Sequence, residues 1–231
     1  MARSPSTPSI PRDEEAYDAL LEEVLASPHL SPVERAMLAR MHGRGEAEPA
    51  PAATPSTVPP LPDGPFRFFA LDVETANHDR GSICQVGVAC VRPDNQIETW
   101  VTLINPRTSH WVFSGLHGIT GAMVAEAPSF DAVLATLEQR LEGHVIYQHS
   151  GFDRSAFRAA CQTMGRPEPA WNWQNSVSVA RRAWPELKGN GGHGLSSLKT
   201  HLGLQFEHHD AGEDARAAAE VVLHAEAVFR A

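Results

Sequence analysis

From residue 66 onward the hydrophobic positions come in short bursts. Residues 66–73, 83–91 and 97–104 are rich in Val, Ile, Phe or Trp and are bounded by turn formers, which predicts three successive strands in an antiparallel meander. The period then lengthens. Apolar positions recur at helical spacing across 130–141, a short apolar strand follows at 145–147, and a second helix opens near Phe152 and ends before Gly165. A weaker strand signal covers 173–177, a Gly-rich loop covers 189–194, and helices are predicted at 195–202 and 212–229. A meander followed by alternating helix and strand implies an α/β domain, a mixed sheet with flanking helices. No internal repeat is present.

Upstream, residues 13–26 place Tyr17, Leu20, Leu21, Val24 and Leu25 at helical spacing, and residues 32–42 do the same with Val33, Met37, Leu38 and Met41. Ser31 is a natural N-cap with Pro32 in the first helical position. Two short amphipathic helices bury little surface alone. The helical region at 1–45 is therefore expected to pack on the main domain or to dock a protein partner through residues 13–42. Twelve of the eighteen prolines fall at or before Pro65. Residues 46–65, dominated by Pro, Ala, Ser, Thr and Glu, read as an extended, disordered linker to a domain over 66–231. No apolar run is long enough to span a bilayer, and the Ser- and Pro-rich start offers no secretory signal, so the expectation is a cytoplasmic protein with no membrane partner. Cys84, Cys90 and Cys161 are odd in number and lack paired short spacing, which indicates neither a disulfide framework nor a zinc knuckle.

The formal net charge of −9 argues against tight non-specific binding to long duplexes, because phosphate binding draws on Lys and Arg. The imbalance is uneven. Ten acidic and five basic residues precede Pro65, leaving 66–231 with an acidic excess of four. Four carboxylates that coordinate divalent cations would invert the local field and leave the rest of that region near neutral.

Such carboxylates are present. At the end of the first strand, Asp72-Val73-Glu74-Thr75 sets two acids two residues apart, and on a strand such residues face the same side. A buried like-charged pair is costly unless something positive sits between. Oxygen donors of this kind suit Mg²⁺ or Mn²⁺ better than zinc. A third acid, Asp153, closes the run His149-Ser150-Gly151-Phe152-Asp153 where a buried strand gives way to a helix, the place where α/β active sites collect. His209 and Asp214 stand five residues apart at the start of the last helix. Taken singly, each has an ordinary explanation, as an exposed strand end, a helix-start acid complementing the macrodipole, or a solvated loop histidine. Their order along the chain carries the argument.

That order resembles the exonuclease family named for four acidic residues and a histidine, to which the proofreading epsilon subunit of bacterial DNA polymerase III belongs. The first motif is matched by Asp72-Val73-Glu74-Thr75, the second by His149 to Asp153, and the third, His-x-x-x-x-Asp, by His209 to Asp214. Ile83-Cys84-Gln85-Val86-Gly87 and Leu116-His117-Gly118-Ile119-Thr120 support the match, which covers about 66–229. Two positions depart from the usual pattern, with Ser150 where Asn is frequent and Asn175-Ser176 where Asp-Thr is frequent.

The resemblance implies a ribonuclease H-like fold and two divalent cations, Mg²⁺ or Mn²⁺, serving phosphodiester hydrolysis. Asp72 would bridge the two ions, Glu74 and Asp214 would complete the first site, and Asp153 would act on the second. His209 would take the proton from the attacking water; His208 competes for that role but lacks the family's spacing. The backbone around Thr75 and the segment carrying Leu116, His117 and Thr120 would hold the terminal nucleotide. The implied activity is 3′→5′ exonucleolytic release of nucleoside 5′-monophosphates from single-stranded or frayed 3′ ends, DNA before RNA. An exoribonuclease is the nearest rival, since no residue here reads a 2′-OH. A non-catalytic docking module is the rival from another class, disfavoured because clustered carboxylates are costly to keep without use. Zinc hydrolysis fails on ligand spacing. Trp171, Trp173 and Trp184 could stack on bases, although packing is the simpler role for them.

Overall fold

A computed structural model describes residues 57–189 and 191–230. The helices expected within 13–42 lie outside the described residues. One compact unit spans 52–231. It is built on a five-stranded mixed sheet in the order β3-β2-β1-β4-β5, with β1 at Phe68–Thr75, β2 at Ile83–Val91, β3 at Ile97–Leu103, β4 at Val145–Gln148 and β5 at Asn172–Asn175. The first three strands form the expected antiparallel meander. The crossovers to β4 and β5 are long enough to carry helices, so those strands pair parallel to the sheet.

The helices are α1 (Ser114–His117), α2 (Phe130–Leu141), α3 (Phe152–Thr163), α4 (Ser176–Ala183), α5 (Leu195–Leu202) and α6 (Ala211–Arg230), with a 3₁₀ turn at Pro185–Leu187. Strand alternation sorts them onto two faces. Phe69, Leu71 and Val73 point into the larger core, against Leu134 and Leu137 of α2 and Phe157 of α3. Phe68 and Ala70 point the other way, onto Ala215, Ala218, Ala219 and Val222 of α6. Small side chains along this stripe let α6 approach the sheet closely. On its outer side α6 buries Ala217, Val221 and Ala225 against α4, α5 and the 3₁₀ turn, which explains why it is apolar on more than one face.

Two local outcomes differ from the sequence pattern. The strand expected at 173–177 stops at Asn175, whose side chain accepts a 2.9 Å bond from Val177 N and caps α4. The linker expected at 46–65 is not free at its described end. Val58 and Leu61 pack on the core, Trp100 Nε1 donates to Pro59 O at 3.1 Å, and Asp63 pairs with Arg140. Trp171 and Trp184 are buried, and Trp173 packs against the core beside Phe157. All three tryptophans therefore serve packing. Among the described residues no helix is long and apolar enough to cross a membrane.

Candidate active site

The site lies at the carboxyl ends of the parallel strands β1 and β4, where the sheet turns from antiparallel to parallel pairing. Asp72 and Glu74 continue the Phe68 and Ala70 face, so they look toward the start of α6. That start is docked on β2 by two residues. Gln85 Oε1 accepts from Ala211 N at 3.0 Å, and Gly87, paired with Asp72 across the ladder, leaves room for the Ala211 carbonyl. The arrangement carries Asp214 over the two strand carboxylates. Asp153 arrives from the first turn of α3 and is fixed by Val73 N, which donates to its Oδ1 at 3.2 Å.

The loop ahead of α6 is ordered by its own acids. Asp210 Oδ1 accepts from Gly212 N and Glu213 N at 3.0 and 3.1 Å, an N-cap arrangement. Asp214 Oδ2 accepts from His209 N at 2.9 Å, which fixes the loop with His209 at φ 69°, a left-handed conformation that His tolerates better than most residues. Ser150, at φ 135°, is a second strained backbone position in the cleft wall.

A cleft of about 330 Å³ results, lined by Asp72, Glu74, Asp153, His209 and Asp214 together with Thr75, Leu116, Phe113, Phe152, His149 and Ser150. All five motif residues thus converge, and so do Thr75 and Leu116. His117 and Thr120 do not line it. His117 lies behind the wall, where Ile119 N donates to its Nδ1 at 3.0 Å and its Nε2 donates to Thr75 O at 3.1 Å; burial lowers its pKa and keeps this neutral tautomer. Thr120 Oγ1 accepts from Met123 N at 3.4 Å and braces a turn. His208 also sits outside the cleft lining, with Nε2 2.9 Å from Ser196 Oγ and Nδ1 3.0 Å from Asp214 Oδ1.

Crowding dominates the electrostatics. Burial, then the charges of Asp153, Asp214 and Glu74, hold the Asp72 carboxyl well above the usual range. Burial, then the charges of Asp214, Asp153 and Asp210, raise Glu74 to about 8, and burial raises Asp153 to about 7 against the opposing pull of its backbone hydrogen bonds. Asp214 is raised by burial, and the His209 N–H and the two histidines partly offset this. Such a cluster keeps protons until a cation replaces them.

The donor set fits divalent cations. Glu74 and Asp214 each present a carboxylate oxygen within 4.8 Å of the other and of a His209 ring nitrogen. Asp214 Oδ1 is buried, and the nitrogen near it is His208 Nδ1 at 3.0 Å, which makes no hydrogen bond to it by geometry among the described residues. A buried carboxylate oxygen without a donor is costly, and a hard cation is the partner that an oxygen cluster selects.

Sheet order, helix placement and site define a ribonuclease H-like nuclease domain. Residues 69–222 match the family described as Exonuclease. The chain belongs to the exonuclease family. It is similar to the DNA polymerase III PolC-type of Caldanaerobacter subterraneus subsp. tengcongensis, 24% identical over 164 residues, which are 70% of this chain and 11% of that protein. Protein NEN4 of Arabidopsis thaliana is 28% identical over 173 residues, 70% of this chain and 67% of that one. The chain thus spans about a tenth of the polymerase's length.

Two solved structures share the fold across 71% of this chain and 93% of theirs. They are Exonuclease X in complex with 5′ overhanging duplex DNA, at 21% identity and a TM-score of 0.56, and the nuclease domain of 3′hExo, a DEDDh family member bound to rAMP, at 17% and 0.59.

The sequence left Gln85, Gly87 and Ser176 without a role, although Asn175-Ser176 stood out as a departure from the usual pattern. Ser176 is fully buried, and its Oγ lies 2.8 Å from His149 Nδ1 and 3.1 Å from Gln148 O. The Asn175-Ser176 pair was the available signal, since adjacent capping side chains after a strand mark a helix start.

Proposed function

We propose that this protein removes nucleotides from single-stranded or frayed 3′ ends of DNA, releasing nucleoside 5′-monophosphates. The observation that carries this reading is the convergence of Asp72, Glu74, Asp153 and Asp214 in one cleft with His209 in its wall. Asp72, Glu74, Asp153 and Asp214 would hold two divalent cations, Mg²⁺ or Mn²⁺. When bound, these ions supply a water of lowered pKa and stabilise charge on the phosphate and the departing 3′ oxygen.

The protein's own groups do the rest. An imidazole nitrogen of His209 takes the proton of the attacking water. Its main-chain bond to Asp214 Oδ2 holds the loop that presents the ring. Leu116, more than half exposed in the cleft wall, meets the terminal nucleoside, and Thr75 offers backbone beside it. His117 supports Thr75 through the carbonyl and does not touch substrate. Water adds to the terminal phosphorus, the bond to the 3′ oxygen of the penultimate nucleotide breaks, and that oxygen leaves as the new 3′-OH.

DNA is favoured by the similarity to the PolC-type polymerase. RNA is the second reading, since 3′hExo, a relative in fold, is bound to rAMP. The test uses 3′-labelled and 5′-labelled DNA and RNA oligonucleotides with Mg²⁺ or Mn²⁺ and an Asp72→Ala control. Release of labelled mononucleotide from 3′-labelled DNA is expected, with none from the control. Internal cleavage, or equal activity of the control, overturns the reading. Digestion of RNA alone replaces DNA with RNA.

A further inference from the structure

Beside the acidic cleft lies a second cavity, of about 480 Å³, lined by Arg181, Pro185, Lys188, Gly189, Gly192 and His193. Its walls carry two cations and no carboxylate. This is unexpected in an acidic chain in which most other arginines of the domain are matched, as Arg158 is with Glu168 and Arg166 with Asp131 and Glu138. Among the described residues neither Arg181 nor Lys188 makes an ion pair or a side-chain hydrogen bond. Unmatched cations in a concave surface are arranged for an anion.

A hydrogen bond links the linings of the two cavities. His149 lines the cleft, and its Nε2 donates to His193 O at 2.9 Å. His193 lines the basic cavity, and its own Nε2 donates to Trp184 O at 2.9 Å. Gly189 and Gly192 of this lining, both near φ 80°, hold the left-handed conformation that suits glycine. His149 is half-buried, and this burial lowers its pKa to about 4, so it adds no charge between the two linings. A strand that leaves the cleft across His149 therefore passes from the carboxylates to Arg181 and Lys188.

Building on the exonuclease reading, we propose that this basic cavity binds the backbone phosphates of the nucleic-acid strand upstream of the scissile bond. It would act as a length-dependent grip, adding affinity for a chain and nothing to the bond-breaking step. A single-stranded backbone is the ligand, because a guanidinium at a helix end and an ammonium on a loop pair with phosphates, and the lining has, among the described residues, no exposed aromatic ring to stack on a base.

The experiment compares the full-length wild type with the Arg181→Ala/Lys188→Ala double variant, with Mg²⁺, on thymidylyl thymidine and on a single-stranded DNA 20-mer. The dinucleotide's one phosphate occupies the cleft and cannot reach the second cavity. Expected for the double variant are an unchanged rate on the dinucleotide, an unchanged kcat on the 20-mer, and a KM on the 20-mer raised about tenfold. The slope of log(kcat/KM) against log[salt] should become shallower by about 1.4, for two phosphate contacts. The charge-keeping variant Arg181→Lys/Lys188→Arg should restore most of the KM. A double variant with wild-type KM and salt slope on the 20-mer overturns the proposal, as do equal losses on both substrates. A wild type that degrades neither substrate instead removes the exonuclease reading on which the proposal rests.

Discussion

Replacing Gly87 by Ala should disable the site from a position that touches no substrate. A Cβ at residue 87 would stand 2.1 Å from the Ala211 carbonyl oxygen, 2.2 Å from its carbon and 2.4 Å from Gly212 N. Ordinary contact begins near 3.4 Å, so β2 and the start of α6 must separate by about 1 Å. The colliding atoms are backbone and have no rotamer to change. β2 is paired on both sides, so the helix is the part that yields. Its displacement stretches the Gln85–Ala211 bond, costing about 1 kcal/mol, and the overpacking costs about 2 kcal/mol more. For a domain of this size the loss lowers Tm by about 6–12 °C. Asp214 moves with the helix, and a misplacement of about 1 Å costs on the order of 100-fold in rate. Thermal melts and single-turnover rates on a 3′-labelled oligonucleotide measure both effects. Gly194→Ala is the control, since a methyl there meets nothing within 4 Å. Wild-type turnover by Gly87→Ala, with or without a lowered Tm, would refute the claim that β2 sets the position of Asp214.

Three further outcomes follow from the same geometry. The metal-free protein should lose stability as pH rises: Glu74 and Asp153 bind protons more tightly folded than unfolded, so their contribution is complete below about pH 4.5 and gone above about 8. Melts in EDTA from pH 5 to 8.5 test this, and Mg²⁺ or Mn²⁺ should raise Tm more at pH 8 than at pH 6; a flat EDTA profile contradicts it. Asp72→Asn should abolish activity while raising the metal-free Tm at pH 8, because one of the crowded carboxylates is gone; a fall in Tm would mean that the cluster is not repulsive. His209→Ala should lower kcat by about 10²–10⁴-fold, and His208→Ala by less than about tenfold, with folding of both checked by circular dichroism. A reversal would make His208 the proton acceptor.

The readable parts of the fold were those where one periodicity dominates. β2, α2 and α5 have the bounds that their patterns predict, since each buries a continuous face. β1 begins two residues later than expected, because Phe66 is apolar without being in the ladder; it packs on Phe69 and beneath Arg92. α4 escaped detection because Val177 and Val179 are β-branched and favour a strand locally. The Asn175 cap and the burial of Ala180 against α6 override that preference. The same limit hid the end of the proline-rich segment, since proline composition describes an isolated chain and takes no account of Trp100 waiting for the Pro59 carbonyl.

The site was legible in identity but not in support. Carboxylates at a strand end and at helix starts announce themselves by their company, and the order of Asp72, Glu74, Asp153, His209 and Asp214 sufficed to bring them together on paper. The groups that hold them look ordinary in sequence: a glutamine and a glycine in an apolar strand, and a serine after an asparagine. Gln85 has meaning only once Ala211 N is beside it, and Gly87 only once a helix lies across it. The acidity that counted against a nucleic-acid enzyme has the same resolution. Like charges are gathered within one cleft, where they exclude a polyanion until cations enter, and two unmatched cations stand just outside it. Net charge averages over this separation, so −9 describes the whole chain and neither of the surfaces that a strand would meet.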